Sequence, residues 1–542
     1  MTDTLPALTR AQNVLASQGT CTPGSGWGDT VTCALGALNV GAQAVVTLTV
    51  ETTTTVPTVM PARLRNVAHT RATGTLTMTA EADAWMQDCH ARLNDNPTDY
   101  TTVQSAVDAA TQSSDVVKVA GTCVGVNTLG GLRQHVYVNK TLTIRGGYTT
   151  GDWNTSDPAA HPTVLDALGL GRVVYIAGSI SPTLEGLTLQ NGDATGLAGY
   201  THPLGGWTED AGGGVAIVNA SATVTSCLVY SSTASYGGGL FASGGAARIS
   251  NNTLAGNTGG SGGGLHLAND QAVATGNLIR TNTADTGGGV YLNESAATVS
   301  GNTVTANTAR SAGGVYIDEG APTLSSNSIT TNTGRNGAGV YAIADYAVIT
   351  GNLIAYNTMI DYYDGGGLYH NNSHSTVTNN TIAHNISNYD GGGAYLVNSE
   401  AQYTSNTFLN NSAGSDGGGA YVDGDYYGGG PVNFIGNTFV GNTASRTGGG
   451  LRVYMSTGTI SGNVMMSNTA QDGGGAYLQS MILNSVPQLV QAVGNTVMSN
   501  TATSDGGGFY LFGPRPYMRN NILRGNTAND DGEWHFQVRR VP

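Results

Sequence analysis

A tyrosine returns at a nearly fixed interval along the second half of the chain: Tyr291, Tyr316, Tyr341, Tyr369, Tyr395 and Tyr421, with Phe241, His266, Arg452, Tyr477 and Tyr510 in the same place. A row of exposed rings could grip sugar faces or a neighbouring subunit. The same rings could instead only shield the strand they stand on, by contact with the next strand. Asp364, Asp390, Asp416, Asp472 and Asp505 each stand immediately before a glycine run. Carboxylates repeated this way could gather oxygen ligands for Ca²⁺. Asx capping of exposed glycine N–H groups is the expected use, because the calcium-binding nonapeptide pattern is absent. Hydrolysis or elimination on a polysaccharide needs two carboxylates, or a carboxylate with Arg or Lys, projecting from one face. The candidates are Asp193, Glu209 and Asp210 with His202; His370 with His374; and Asp318 with Glu319. None has a spacing specific to a lyase or hydrolase, and Lys occurs only at Lys118 and Lys140. The expectation is no enzyme, no catalytic residue and no cofactor, with Asp364, Asp390 and Asp416 as weak Ca²⁺ candidates.

The elements that must position these side chains repeat. Gly-Gly-Gly-like triplets open at Gly212, Gly237, Gly262, Gly287, Ala312, Gly337, Gly365, Gly391, Gly417, Gly448, Gly473 and Gly506, most often 25 residues apart. A fixed period of this size signals a solenoid. Counted from the triplet's first residue, positions 3 and 5 are mostly apolar, as in Leu265 and Leu267, so position 4, the tyrosine column, points the other way on a strand. Two further apolar columns flank an Asn column. The first Asn column includes Asn252, Asn277, Asn302, Asn327 and Asn352; the second, five residues on, includes Asn257, Asn282, Asn307, Asn332 and Asn357. Asn tolerates left-handed backbone and bonds turn backbone. Stacked coils place identical amides about 4.8 Å apart, within reach of ladder hydrogen bonds. The expected fold is all-β: a right-handed parallel β-helix with three strands per coil and mostly 25-residue coils. Cys227 takes the Asn place in the first triplet-led coil and is expected to be buried and inert. Longer coils place insertions at 423–430, 481–488 and 359–364.

Composition narrows the partners. Charged residues are only 10% and the net charge is −14, which argues against nucleic acid and anionic membrane surfaces. No apolar run approaches the about 18 residues of a membrane-spanning helix, and residues 1–20 lack the blocks of a signal peptide. Of five cysteines, Cys21–Cys33 and Cys89–Cys123 are the expected disulfides of an oxidising compartment. Residues 99–211 read as the cap and first coils. Val103, Ala106, Val107 and Ala110 form an amphipathic helix over the open edge, and strands follow at 116–119, 136–138, 142–144, 173–176 and 184–189.

The capped start resembles that of many β-helix proteins, pectate-lyase-like ones included. The triplet coils with their Asn-x-x-x-x-Asn-Thr turns are similar to bacterial surface β-helix repeats, such as passenger domains of polymorphic outer-membrane proteins. Residues 1–83 differ. Thr4-Leu5-Pro6, Gly19-Thr20-Cys21-Thr22, Val31-Thr32-Cys33 and Leu35-Gly36-Ala37-Leu38 resemble a bacterial cell-surface immunoglobulin-like β-sandwich repeat. Members of that family carry about two more strands before the Leu-Pro, so the resemblance implies a partial sandwich open to another chain's strand. The expected organisation is a partial β-sandwich at 1–83, a linker at 84–98, cap and first coils at 99–211, a regular helix at 212–530, and a tail or final strand at 531–542. These readings together imply a non-enzymatic extracellular or cell-surface structural shaft that joins other copies of itself end to end in a fibre. The alternatives are an adhesin or carbohydrate-binding protein, and a polysaccharide lyase or hydrolase.

Overall fold

The fold is described from a computed structural model. It covers all residues except 7–8, 38–42, 53–61, 71–77, 87, 202–205, 207, 362, 425–429, 484–485, 489, 514–516 and 538–542. Near the start, strands Thr20–Thr22, Thr30–Ala34, Thr2–Thr4, Ala62–Thr70 and Met78–Met86 form a five-stranded sheet in that order, and Thr9–Ala16 pairs with Val46–Thr52 in a second sheet. Leu5, Val31 and Cys33 make its small core, with Val14 and Leu48 of the second sheet packed against them. Cys21 stands directly opposite Cys33 across neighbouring strands and is disulfide-bonded to it.

Residues expected as linker contain a strand instead. Asp88–Leu93 pairs antiparallel with Val116–Val124, the first strand of the coil stack, and Cys89–Cys123 joins the two. Alternation explains why this stretch is ordered: Cys89 and Ala91 face the core, while Asp88 is exposed. The helix Val103–Ala109 follows, with Thr102 Oγ1 accepting from the Ser105 N–H at 3.1 Å. Its Val103, Ala106 and Val107 are fully buried in one cluster with Val117 and Val119, so the helix closes the first coil.

The coils then stack in parallel. A sixteen-stranded sheet carries the strand after each triplet, ending with Trp534–Gln537. Its register steps by one coil: Leu265 pairs with Val290, and Val290 with Val315. A second sheet bends around the first Asn of each coil, so Arg248–Ser250 and Thr253–Ala255 lie on either side of Asn252. The three strands expected per coil are present, and a fourth follows the second Asn. These short segments, Thr258–Ser261 among them, form an eleven-stranded sheet. Inward residues such as Leu265, Leu267, Ile279, Val290 and Leu292 are fully buried in one cluster running from Cys89 to Leu511. The insertion at 481–488 is a hairpin, Met481–Leu483 with Val486–Gln488. The 423–430 insertion falls largely outside the described residues.

The triplet is explained by its corner. In Gly262-Gly263-Gly264 the first glycine has φ +71°, a left-handed conformation. A Cβ on Gly263 would lie 2.5 Å from the Thr283 carbonyl oxygen, and one on Gly264 would lie 2.7 Å from the Gly289 carbonyl oxygen and 2.8 Å from Asn282 Nδ2. The corner therefore has no room for a side chain where one coil lies on the next.

Candidate functional site

The Asn columns are buried hydrogen-bond ladders. Asn277 Oδ1 accepts from the N–H of Asn252 at 3.0 Å and from its Nδ2 at 3.0 Å, and Asn277 Nδ2 donates to the Ile249 carbonyl and to Asn302 Oδ1. Asn302, Asn327 and Asn352 continue this column, and Asn257, Asn282, Asn307, Asn332 and Asn357 form the second with the same bonds. The left-handed backbone expected at Asn sits one residue earlier. Asn251, Gly276, Gly301, Ser326 and Gly351 have φ between +55° and +65°, and before the second Asn Gly256 has +61° and Ala306 +54°. The preceding residue makes the turn so that the Asn side chain can point inward. Cys227 heads the first ladder: its N–H donates to Asn252 Oδ1 at 2.9 Å, and burial pushes its thiol up to about 12.

The Asp residues before the triplets form a third ladder. The Asp390 N–H donates to Asp364 Oδ1 at 3.0 Å, and the Asp416 N–H to Asp390 Oδ1 at 2.9 Å. Asp416 Oδ1 then accepts from the Thr447 N–H and hydroxyl and from Arg446 Nε, while Arg446 Nη2 pairs with Oδ2. Burial raises Asp364 to about 6 and Asp390 to about 7. Each carboxylate accepts from the next coil's Asp or Thr N–H and not from the glycine N–H groups, which donate to backbone carbonyls such as those of Asp390 and Asp416.

The tyrosine rings of the column cover one another. Tyr291, Tyr341, Tyr395 and Tyr421 point outward but keep only 7–9% of their surface, and Tyr316 and Tyr369 are half-buried. Tyr291, Tyr316, Tyr341, Tyr369 and Tyr395 stack face to face at 4.7–5.1 Å, so each ring covers the next. Tyr200, on the hairpin Gly199–Thr201 with Thr208–Asp210, covers Phe241 at the head of the row. The Tyr291 hydroxyl donates to Asp318 Oδ2 at 2.6 Å. Ring faces that stack on each other are not free to stack on a sugar.

Exposed rings gather elsewhere. Tyr346, Tyr356, Tyr363 and Tyr389, with Val348, Leu353, Ile360 and Ile386, are all at least 38% exposed and come from two adjacent coils, those of Gly337 and Gly365. Tyr346 stacks on His374, and Tyr356 on His384, each at 4.8 Å. The 359–364 insertion lies in this band; its Asp361 pairs with Arg335 at 3.1 Å, and the Arg335 guanidinium lies 5.7 Å from the Tyr363 ring. Single exposed apolar side chains are ordinary, so what sets these two coils apart is how many they carry.

The family model described as "Right handed beta helix region" matches residues 173–334 and 288–465, together more than half of the 542 residues. The chain belongs to the right-handed β-helix family. No curated protein matches it. A solved structure titled "Crystal Structure of the periplasmic alginate epimerase AlgG" is similar over 79% of this chain and 85% of its own, at 12% identity and a TM-score of 0.25. At those values nothing about activity passes from that enzyme to this β-helix.

The remaining candidates do not converge. His370 points into the core of the β-helix and His374 stands outside it on Tyr346. Asp318 is engaged by Tyr291, and His202 lies outside the described residues. Glu209 and Asp210 line a cleft of about 450 Å³ with Ser235 and Tyr236, whose hydroxyl burial and Glu209 push up to about 12. Among the described residues, Asp505, Asp531 and His535 bring three donor atoms within 4.8 Å of one another. His535 Nδ1 is bonded to Asp531 Oδ2 at 2.5 Å, and its ring extends the aromatic row on Tyr510. Glu533 was missed by sequence reasoning. Its carboxylate accepts from the Gly525 N–H and from Asn526 Nδ2, taking the place of the next Asn in the second ladder. An acidic residue where the triplet decays was the available signal. Among the described residues, no helix is long and apolar enough to cross a membrane.

Proposed function

We propose that this β-helix is a non-enzymatic structural shaft of the cell exterior, and that it works by contact with further copies of itself. One observation carries the reading. The repeated polar and aromatic columns close on themselves, while large exposed apolar side chains collect in the band of coils 337–390 and on the last coils, at Tyr517, Ile522 and Trp534. Contacts at one end of a shaft are heterologous, and such contacts build open filaments when they do not close. Two disulfides fit an oxidising location. Electron microscopy of the concentrated protein tests the proposal: filaments are expected, shortened by Trp534→Ser with Ile522→Ser. Discrete monomers at every concentration would overturn the assembly.

A second reading, an adhesin that binds surface glycans, is favoured by the stacked pairs Tyr346–His374 and Tyr356–His384, which offer flat exposed faces. Glycan-array binding lost on Tyr346→Ser with Tyr356→Ser, and retained on Tyr341→Ala with Tyr369→Ala, would establish it. For turnover of a polysaccharide the candidate pair is Glu209 with Asp210, which line one cleft. Product release abolished by Glu209→Gln with Asp210→Asn would displace both readings.

A further inference from the structure

Three consecutive coils break the apolar columns from the inside. His370 stands at the inward position that Leu267, Leu292 and Leu396 occupy in other coils, above Ala342 and below Leu396. Tyr403 takes the inward place of Val377 and Phe434, between them in the sheet. Asp345 lies at the turn after the triplet strand of the preceding coil. All three residues are 0% exposed, and each keeps one polar atom with no protein partner: Asp345 Oδ2, His370 Nε2 and Tyr403 Oη. The two rings pack edge to face with centroids 5.9 Å apart, and Asp345 acts electrostatically on both. Buried polar atoms are nearly always satisfied, and these three belong to side chains that pack against or act electrostatically on one another.

The other atoms of the group fix what that partner must be. Asp345 Oδ1 accepts from the Ala347 N–H at 2.8 Å and from the Ser375 hydroxyl. Ser375 Oγ lies 2.8 Å from Ser373 Oγ, which lies 3.0 Å from His370 Nδ1. Written from Asp345 as a carboxylate, the protons run one way. Ser375 donates to Asp345, Ser373 donates to Ser375, and His370 Nδ1–H donates to Ser373. His370 Nε2 is then a bare acceptor, consistent with burial pushing this imidazole down to about 4. The three atoms left over are two acceptors, Asp345 Oδ2 and His370 Nε2, and one donor, the Tyr403 hydroxyl.

We propose that Asp345, His370 and Tyr403 form an internal binding site for one water molecule, which donates to Asp345 Oδ2 and His370 Nε2 and accepts from Tyr403 Oη. A buried water typically makes about three hydrogen bonds, and this one satisfies all three atoms. A cation would satisfy the acceptors and leave the phenol hydrogen without an acceptor. The water ties three coils together beneath the exposed band. It also accounts for a Ser–His contact that cannot serve catalysis, since no substrate reaches a fully buried hydroxyl.

A crystal structure of the full chain at a resolution that shows waters, with metal analysis of the same sample, tests this. The expected result is one water peak within hydrogen-bond distance of the three named atoms and no stoichiometric metal. In folded His370→Leu, which restores the apolar column, that peak disappears. A direct bond from Tyr403 Oη to Asp345 Oδ2 or His370 Nε2 with no density between them would overturn the site, as would one metal ion per chain. If the variant fails to fold, the wild-type density and metal content decide alone.

Discussion

Removing one rung of an Asn ladder should cost more than a surface substitution by a wide margin. In Asn307→Ala the change deletes four bonds at a fully buried corner. Oδ1 accepts from the Asn282 N–H at 2.9 Å and from Asn282 Nδ2 at 3.0 Å, and Nδ2 donates to the Ile279 carbonyl at 3.0 Å and to Asn332 Oδ1 at 3.1 Å. Three partners keep other bonds. Asn282 Nδ2 still reaches the Leu254 carbonyl, and Asn332 Oδ1 still accepts from the residue 307 N–H. The Asn282 N–H loses its bond, while the Ile279 carbonyl keeps the backbone ladder of its strand pair. An orphaned buried group costs about 1–3 kcal/mol, so the expected loss is roughly 3 kcal/mol. Coils contact chiefly their neighbours, so the effect is local. Urea unfolding followed by circular dichroism measures the total, and hydrogen exchange locates it. The Asn282 amide should exchange roughly a hundredfold faster, a factor that 3 kcal/mol sets through local opening. Thr303→Ala, at an exposed position of the same coil, should stay within about 0.5 kcal/mol. A loss under about 1 kcal/mol for Asn307→Ala, or unchanged exchange at Asn282, would show that the ladder is decoration on a helix held by its core.

Gly264→Ala should cost about 3 kcal/mol by forcing the Gly289 coil away, since its Cβ would lie 2.7 Å from that carbonyl oxygen. Gly256→Ala, with φ +61° and nothing within 4 Å of the Cβ, should cost only the left-handed strain of about 1–2 kcal/mol; equal losses in urea melts would refute the steric account of the triplet. Burial depresses His370 from 6.5 to about 4, so its contribution is complete above pH 6.5 and is lost as pH falls toward 4. Asp270 and Asp390, each raised to about 7, act in the opposite sense, losing their contribution as pH rises through that value. The difference in unfolding free energy between wild type and His370→Leu should therefore change by roughly 3 kcal/mol between pH 6.5 and 4, and parallel pH profiles would contradict the buried neutral imidazole. Cys227, with its thiol pushed up to about 12, should not react with a disulfide reagent until the chain unfolds; rapid labelling of the native protein would place it at the surface.

The coil architecture was legible because a solenoid writes its contacts into its period. Leu265, Val290 and Val315 are 25 residues apart in the chain and adjacent in space, so a column in the sequence is a ladder in the structure. The left-handed positions were not legible. Gly276, Ser326, Thr331, Ala306 and Tyr356 all adopt positive φ, and their outward side chains leave no shared residue type to read. The strand Asp88–Leu93 was not legible because its partner, Val116–Val124, follows only after the intervening helix.

By itself the sequence determined the repeat, the inward apolar columns and the Asn columns, because each is written as spacing along the chain. Tertiary structure decided exposure and satisfaction, which depend on neighbouring coils. Tyr341 is covered because Tyr316 and Tyr369 stack on its two faces, whereas Tyr346 and Tyr356 in the same coil remain exposed. His370 and Tyr403 lie 33 positions apart in the sequence and meet edge to face only when their coils stack around one core.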